Sequence, residues 1–524
     1  MQYDILIKNA TIFDGTGSRS FRSNVVVKNG KILKIGEQVD EQLCTHVFNA
    51  DKRYLCPGFI DINNLSDHYL TLLSNPGCAN LIKQGITSII IGHSGSSLAP
   101  LIKNQMLSFE PWVDTSGLNV NWRSFKTFFE FLESKKLGVN VGSLVGWNVI
   151  RSGLIGENFK NLSDFELKQL LILVKQSMRE GALGVSFGFG YPSGRAISKR
   201  EISSVFKEIK KFNPLFSFNL RDESHGFISA IKEIIDVSCE FKINTLISDF
   251  KVQNEENFSN FDMALKLIEG SNNSNGKNIH FSIYPYDYTY QSLFNLMPDW
   301  LTIGGKETIK KNVNDKNILK KLIKELKQNK GFYKKLILVD IDKKYRVLKG
   351  KTFEEIAQNM NLSIEEAIIQ ILTMTQKKVI VLNQNLSITN IDKGIKNSYS
   401  IISSNGMLLD NSCLYNGFCD QRSTNALVKY LSIYQKILPF ENLIYKITGL
   451  PKEKLGLKNK GYIKIGMDAD LVILNPQNLF DQSTIQNPML NPKGIETVII
   501  NGNISYDKGK FVNTQSGKVI IKNV

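Results

Sequence analysis

From Gly58 to about residue 300, short apolar runs alternate with segments of helical periodicity, and this alternation is the strongest constraint on the fold. The helical patterns include residues 164–179 and 227–241. Repeated alternation of this kind predicts an α/β fold, a parallel (β/α)8 TIM-like barrel, with its chemistry at the carboxyl ends of the strands. The strand-like runs are residues 59–60, 87–91, 139–145, 184–186, 215–217, 245–247 and 280–283.

Both ends of the chain are rich in short strands. Near the start, Val25-Val26-Val27 and residues 32–35 flank Asn29-Gly30, which is a strong signal for a β-hairpin. We therefore predict a small β-sandwich formed by the N- and C-terminal segments, residues 1–57 plus 440–524. The barrel is predicted to span residues 58–439, with a Lys-rich helical insertion at about 303–375.

Composition narrows the classes of function. Hydrophobic content of 42% and charged content of 22% are typical of a soluble globular protein. No apolar run approaches the roughly 20 residues that cross a bilayer, and no signal peptide is evident, so we expect a cytoplasmic protein without a membrane partner. The net charge is +16, but the lysines are scattered and no nucleic-acid motif is present, so we expect no nucleic-acid partner. The six cysteines lack CxxC spacing and are expected to be free thiols.

Several motifs along the chain carry a family resemblance. They are PGFID at 57–61, IIGHSG at 90–95, FNLRDE at 218–223, ISDFK at 247–251, SNG at 404–406 and GMDADLVIL at 466–474. Together they resemble the motifs of the N-acyl-D-amino-acid deacylases (D-aminoacylases) of the amidohydrolase superfamily, from Tyr3 to about Lys518. The resemblance implies a barrel with a β-sandwich and hydrolysis of a non-peptide carbon–nitrogen amide bond.

The resemblance also places the zinc ligands of that family, and every one of them is replaced here. Asn63 and Leu65 stand at the positions of a His-x-His pair, and Ser94 stands at the position of a cysteine. Asn219 and Asp249 stand at the positions of two later histidines. Zinc prefers imidazole, thiolate or carboxylate ligands, so only Asp249 offers a suitable group.

The catalytic base of the family is replaced as well. Asn405 stands where the resemblance implies an aspartate, and an amide cannot accept the proton of an attacking water. We therefore expect no zinc or other cofactor, and a degenerate, catalytically impaired relative of the deacylases. A rebuilt metal site is the competing hypothesis for this region, and we expect instead that these polar groups bond to one another. The residues for a rebuilt site are Asp67, His68, His93, Asp222, Glu223 and Asp249.

Substrate-binding features of the family remain recognisable. The resemblance implies that a lysine such as Lys251, an arginine and a nearby tyrosine hold the carboxylate of the substrate. Arg422 is the candidate arginine, although another register of the motif would place Asn425 there. A guanidinium suits this role because its planar fork pairs with both carboxylate oxygens. The predicted substrate-binding residues are Lys251, Arg422, Tyr191, Tyr286 and Arg221.

Three hypotheses of function follow. The first, which we favour, is a degenerate amidohydrolase that does not catalyse deacylation by the mechanism of the family. The second is an active N-acyl-amino-acid deacylase with a rebuilt site. The third is a non-catalytic binder of N-acyl amino acids or related carboxylates, for which the partner is a small-molecule carboxylate. No oligomeric state is predicted.

Overall fold

The computed structural model describes residues 3–36, 39–102, 109, 112–113, 115, 120–156, 160–275, 278–302, 311–313, 315–328, 330–375, 378–409, 420–485 and 487–522.

The chain begins with five strands of a sheet. The predicted hairpin is confirmed, because Asn29 and Gly30 have φ angles of 52° and 75° and join two antiparallel strands. Positive φ at both central residues is the geometry of a type I′ turn. The strands are β1 (Tyr3–Ile12), β2 (Phe21–Lys28), β3 (Lys31–Ile35), β4 (Cys44–Asn49) and β5 (Tyr54–Pro57).

A barrel of parallel strands follows, as predicted. Strands β8 and β9 are two parts of one interrupted barrel strand, separated by Leu144. The last strand meets the first, since the backbone N–H of Asn405 donates to the carbonyl of Asn63 at 3.0 Å. The barrel strands are β6 (Phe59–Asp61), β7 (Ile86–Ile91), β8 (Asn140–Ser143), β9 (Val145–Gly146), β10 (Gly184–Gly188), β11 (Leu215–Asn219), β12 (Asn244–Ile247), β13 (Ile279–Ile283) and, later in the chain, β17 (Ser400–Ile402).

Helices surround the barrel, and the residues at their first turns explain why the chain forms helices there. The helix Asp164–Arg179 begins at Ser163, whose side chain accepts from the N–H of Glu166, while the Glu166 carboxylate accepts from the N–H of Ser163. This capping box satisfies donors that the first turn leaves unpaired. The other helices packed around the barrel are Thr71–Ser74, Ala79–Ile82, Phe125–Ser134, Trp147–Ile155, Lys199–Ile209, Phe227–Phe241, Asn260–Asn275, Ile388–Lys396, Arg422–Tyr434, Phe440–Ile447 and Gly449–Leu455.

The two ends of the barrel differ. We name the end at the carboxyl termini of the strands the barrel mouth, and the opposite end the barrel floor. At the floor, Leu450, Leu455 and Ile520 pack with the apolar side chains of the barrel interior, such as Ile60 and Ile401. The floor is therefore closed by an apolar cluster, which leaves the mouth as the place for a polar site.

A separate subdomain lies between β13 and β17. It contains an antiparallel sheet of strands β14 (Thr289–Ser292), β15 (Ile337–Ile341) and β16 (Val379–Asn383), in the order β14-β16-β15. Helices were predicted here from periodicity, but the sheet was not, and the subdomain extends beyond the predicted limits of 303–375. Residues 303–310 lie outside the described residues. The described helices are Asp299–Thr302, Lys316–Gln328, Lys330–Lys334, Phe353–Met360 and Ile364–Met374.

The C-terminal segment returns to the N-terminal sheet. Strand β18 pairs antiparallel with β5, so both ends of the chain share one nine-stranded sheet, the β-sandwich domain. Phe440–Ile447 and Gly449–Leu455 are helices against the barrel, and the C-terminal strands begin only at Leu471. Within the described part of the chain, no helix combines the length and the apolar character that crossing a membrane requires. The C-terminal strands are β18 (Leu471–Leu474), β19 (Ile495–Ile500), β20 (Asn503–Asp507) and β21 (Lys510–Phe511).

Candidate functional site

The barrel mouth holds the residues predicted from the metal-ligand and base positions. Asn63 follows β6, Ser94 follows β7, Asn219 ends β11, Asp249 follows β12 and Asn405 follows β17. Carboxyl ends of neighbouring parallel strands lie at one edge of a barrel, so these side chains share one region. The fold therefore preserves the place at which such a site would be built.

Hydrogen bonds close the barrel beside these residues. Asp61 is fully buried and accepts from the backbone N–H of Ser404 at 2.9 Å and from its hydroxyl at 2.5 Å. The N–H of Leu65, whose side chain is half-buried, donates to the carbonyl of Gly406 at 2.7 Å. Asp61 and Leu65 thus join the first barrel strand to the last, and Leu65 contributes no polar side-chain group to the site.

Three of these positions have an unusual backbone. Ser94, Asp249 and Asn405 have φ angles of 56°, 60° and 46°. Residues other than glycine seldom occupy this left-handed region, because their Cβ atom is crowded there. Strained backbone of this kind clusters at functional sites, where it fixes the direction of a side chain. Because aspartate and asparagine visit this region more readily, Ser94 is the one of the three positions at which strain is expected.

The amide side chains at the mouth are neutral groups with local partners. Asn219 is buried, and its Oδ1 accepts from the hydroxyl of Ser248 at 3.2 Å. Asn63 is also buried, and its Oδ1 has no hydrogen-bond partner among the described residues. Neither amide offers the imidazole, thiolate or carboxylate group that zinc prefers, and neither has the basicity of a general base.

Lys251 forms the central charged contact of the mouth. Its ammonium donates to Asp249 Oδ2 at 2.6 Å, to the Asp249 carbonyl at 3.1 Å and to Glu223 Oε1 at 2.8 Å. Burial alone would lower the pKa of Lys251, but the carboxylates of Asp249 and Glu223 raise it above its ordinary value. Lys251 is therefore a charged ammonium, and its three N–H donors are all used within the protein.

Arg422 is paired in a similar way. It is buried at the start of the helix Arg422–Tyr434, and its Nε donates to Asp420 Oδ2 at 2.7 Å. The guanidinium lies over the ring of Tyr284, with 4.8 Å between the guanidinium carbon and the ring centre. Sequence reasoning missed Asp420, although its spacing of two residues from Arg422 is a local signal for such a pair.

Of the other predicted substrate-binding residues, two line the cavity of the mouth and one does not. Tyr191 lines the cavity of the mouth, and burial raises its pKa to about 12. Arg221 also lines it, but its guanidinium pairs with Glu233 at 2.8 Å. The hydroxyl of Tyr286 instead donates to Asp481 Oδ2 at 3.4 Å, and Tyr286 is not among the described residues of the cavity wall. Glu233 was not predicted, because no local spacing links it to Arg221.

Two histidines lie near the mouth but do not converge on one point with the acids. His93 is buried, and its Nδ1 is 3.0 Å from the hydroxyl of Ser217. Burial lowers the pKa of His93 to about 4, so this ring is neutral near pH 7. The Nδ1 of His68 is 3.0 Å from Asp67, whose other oxygen accepts from the N–H of Gly92 at 2.8 Å.

The donor set of the mouth does not fit the zinc centre that the resemblance implies. Among the described residues, no three His, Cys, Asp or Glu side chains are grouped so that they could hold a metal ion. Asp249, which has the one suitable group among the positions predicted from the family motifs, binds Lys251. A cationic neighbour at 2.6 Å opposes a metal ion, because both would compete for the same carboxylate.

A cavity of about 1300 Å3 opens at the mouth. Its wall includes Asn219, Asp249 and Lys251 from the barrel, and Gln291 and Asn383 from the subdomain sheet. The subdomain therefore covers one side of the mouth. A cavity of this size could hold a small molecule, since ligand sites commonly range from about 300 to 1,000 Å3.

The chain combines a (β/α)8 barrel with a β-sandwich and has its candidate site at the carboxyl ends of the barrel strands. No family model matches the chain. The chain is 23% identical over 523 residues to the D-aminoacylase of Alcaligenes xylosoxydans xylosoxydans, covering 99% of this chain and 98% of the relative. It is 25% identical over 525 residues to the N-acyl-D-aspartate deacylase of the same organism, covering 99% and 95%.

Structural comparison supports the same assignment of the fold. The N-acyl-D-glutamate deacylase of Bordetella bronchiseptica, solved with zinc and a phosphonate inhibitor, matches with a TM-score of 0.83. That match has 19% identity and covers 99% of this chain and all of the other. The chain therefore resembles the N-acyl-D-amino-acid deacylases along almost its whole length, which confirms the resemblance predicted from its motifs.

Proposed function

We propose that this protein is a degenerate relative of the N-acyl-D-amino-acid deacylases that binds a small molecule at the barrel mouth without zinc-dependent hydrolysis. The observation that carries the proposal is the ion pair between Asp249 and Lys251. Asp249 stands where the family motif has a ligand histidine, and its carboxylate binds the ammonium of Lys251 at 2.6 Å. The retained cavity of about 1300 Å3 supports a binding role.

The absence of zinc-dependent hydrolysis follows from the side chains present at the mouth. Amide hydrolysis needs a group that activates water and a base that accepts its proton. Asn63, Asn219 and Asn405 supply neutral amides, and Leu65 supplies none. Ser94 has a hydroxyl that stays protonated near pH 7. None of these five side chains can take over either task.

The alternative of a rebuilt hydrolase has less support. His93 is neutral near pH 7, as a base must be, but among the described residues no three His, Cys, Asp or Glu side chains are grouped to hold a metal ion beside it. The alternative of a carboxylate binder meets a different difficulty, because the donors of Lys251 are used by Asp249 and Glu223. Arg422 is held by Asp420 in the same way.

We further infer that the partner is a small molecule, and that neither nucleic acid nor a membrane is bound. The support is that the cavity at the mouth is lined by barrel and subdomain side chains. A cytoplasmic location remains our expectation from the sequence.

The test is elemental analysis of protein purified without chelators, with a deacylase assay on the same sample. A zinc-dependent D-aminoacylase purified in parallel is the positive control. We expect metal far below one equivalent and no turnover of N-acetyl-D-amino acids above the rate in buffer. Near-stoichiometric metal that is lost in Asp249→Ala or His93→Ala, together with turnover, would reject the proposal in favour of a rebuilt site.

A further inference from the structure

Strand β4 lies at an open edge of the nine-stranded sheet. It pairs with β1 on one side, in parallel register, and no other described strand pairs with it. The N–H of Ala50, just after β4, donates to the carbonyl of Lys8 on β1. Because backbone groups alternate in direction along a strand, the N–H and carbonyl groups of Thr45, Val47 and Asn49 point away from β1. β4 therefore offers a row of backbone groups to a further strand.

The other two edges of the same sheet are protected. The edge strand β21 is only 2 residues long. The edge strand β3 carries Lys31 and Lys34, and the N–H of its Ile32 donates to the carbonyl of Met467, so part of this edge is covered. Short strands, lysines and covering segments are common means by which proteins prevent a sheet edge from pairing with another chain.

β4 has none of these protections within the described part of the chain. Its 6 residues, Cys-Thr-His-Val-Phe-Asn, include no lysine, arginine, carboxylate, proline or glycine. Thr45, His46 and Val47 are exposed, and Val47 is 38% exposed although it is apolar. Exposed β-branched residues on an unpaired edge favour the addition of a strand. The composition of β4 therefore indicates a surface that pairs with another strand.

Charges of opposite sign flank β4. Asp40 and Glu41 precede the strand, Asp51 and Lys52 follow it, and all four are exposed. Glu41 and Asp51 are paired with basic residues of the same chain, whereas Asp40 and Lys52 have no ion-pair partner among the described residues. An antiparallel second copy of β4 would bring Asp40 of each chain near Lys52 of the other. Such local complementarity opposes the repulsion between two chains that each carry a charge of +16.

From these features we propose that two copies of this chain associate through β4, which pairs antiparallel with β4 of the second copy and joins the two sheets. The twofold symmetry of this dimer makes the contact self-complementary and closed. Residues with outward backbone groups face one another in such a pair, so Val47 lies opposite its own copy and Thr45 lies opposite Asn49. Dimerisation does not depend on the chemistry of the barrel mouth.

The experiment is sedimentation velocity of the full chain at concentrations from about 1 to about 100 μM, which covers the range expected for a small interface. We expect the weight-average sedimentation coefficient to rise with concentration from the value of a monomer towards that of a dimer. No larger species should form, because a twofold contact is closed. A monomer at every concentration, or assembly beyond the dimer, would overturn the proposal.

Val47→Lys tests the position of the contact. It places two ammonium groups opposite one another across the symmetry axis, and like charges in that arrangement are destabilising. We expect the dissociation constant of the dimer to increase at least about tenfold. The matched control is Leu33→Lys on β3, because Leu33 is also 38% exposed and gains the same charge. Equal weakening in the two variants, or none in Val47→Lys, would overturn the proposal.

Lys52→Glu tests the antiparallel direction, and it takes the place of Val47→Lys if that variant does not fold. The new carboxylate would lie near Asp40 of the second copy, so we expect the dissociation constant to increase about threefold. The control is Lys508→Glu, which makes the same change of charge at another exposed lysine of positive φ, 44° against 58° for Lys52. A dimer that Lys52→Glu weakens no more than Lys508→Glu does would contradict the proposed pairing and overturn it.

Discussion

Buried lysines occur at both ends of the barrel, but their surroundings differ. At the mouth, Lys251 lies between the carboxylates of Asp249 and Glu223. At the floor, Lys446 donates to the hydroxyl of Ser400 at 2.6 Å and to the carbonyl of Asn397. No carboxylate is among the described hydrogen-bond partners of Lys446. One lysine is thus held by opposite charges and the other by neutral dipoles.

The protonation of the two lysines differs accordingly. The two carboxylates raise the pKa of Lys251, whereas burial lowers the pKa of Lys446 to about 7. Lys454 repeats the pattern of the floor, since it binds the carbonyl and side-chain oxygens of Asn278 and burial lowers its pKa. The mouth is therefore balanced by paired charges, which a single substitution can upset, whereas the lysines of the floor depend on burial.

The largest effect is expected from removing the ammonium of the mouth. Lys251→Met leaves the carboxylates of Asp249 and Glu223 buried, close together and unpaired. We expect the free energy of unfolding to fall by about 3–5 kcal/mol, which is typical when one partner of a buried ion pair is removed. Urea unfolding followed by circular dichroism near neutral pH measures it.

Lys446→Met is the matched control at the floor. It loses hydrogen bonds to Ser400 and Asn397 but also removes the cost of burying an amine, so we expect a change of about 1 kcal/mol or less. Equal losses in the two variants would contradict the comparison, because they would mean that charge pairing adds nothing to the stability of the mouth.

A smaller effect on the free energy of unfolding is expected from a change of pH. The unfolded chain keeps Lys446 protonated up to about 10.5, the ordinary pKa of a lysine, whereas the folded protein releases that proton near pH 7. The unfolded state therefore binds more protons between pH 7 and 10.5, and stability from this group rises with pH across that window. The rise is at most about 1.4 kcal/mol per pH unit.

The measurement is the difference in unfolding free energy between the parent protein and Lys446→Met at several pH values from 7 upward. We expect this difference to shift in favour of the parent as pH increases. Lys251 affects the pH dependence of stability in the opposite direction. Its pKa is raised in the folded protein, so it contributes stability that is lost only when pH rises above the pKa of this lysine in the unfolded chain. A flat difference for Lys446 would mean that its oxygen partners keep it protonated.

Much of the fold could be predicted from the sequence because its signals are local and repeated. The hairpin at Asn29-Gly30 and the helix Asp164–Arg179 follow from turn chemistry and capping. The subdomain sheet was missed because β15 lies between helices rich in lysine, and β14 and β16 are separated by 86 residues between Ser292 and Val379. Short strands paired over such distances leave little periodic signal.

The candidate site could be predicted only in part, for a related reason. The positions of Asn63, Ser94, Asn219 and Asp249 could be predicted because each lies at or after the end of a strand with a recognisable motif. The contacts of their side chains could not be predicted. The pairing of Lys251 with Glu223, 28 residues away, depends on two strands meeting at the mouth, which spacing alone does not reveal.

The smallest effect is expected from relieving strain at the mouth. Ser94→Gly replaces a residue held at a φ of 56° with one that adopts this angle without a Cβ penalty. We expect the free energy of unfolding to increase by about 0.5–1 kcal/mol, measured by urea unfolding. The control is Asn29→Gly in the hairpin, with a φ of 52°, where asparagine already tolerates the angle and the gain should be smaller. A loss of stability in Ser94→Gly would instead show that the contacts of the Ser94 side chain outweigh the strain, so that the mouth is maintained by its polar groups and not by its backbone.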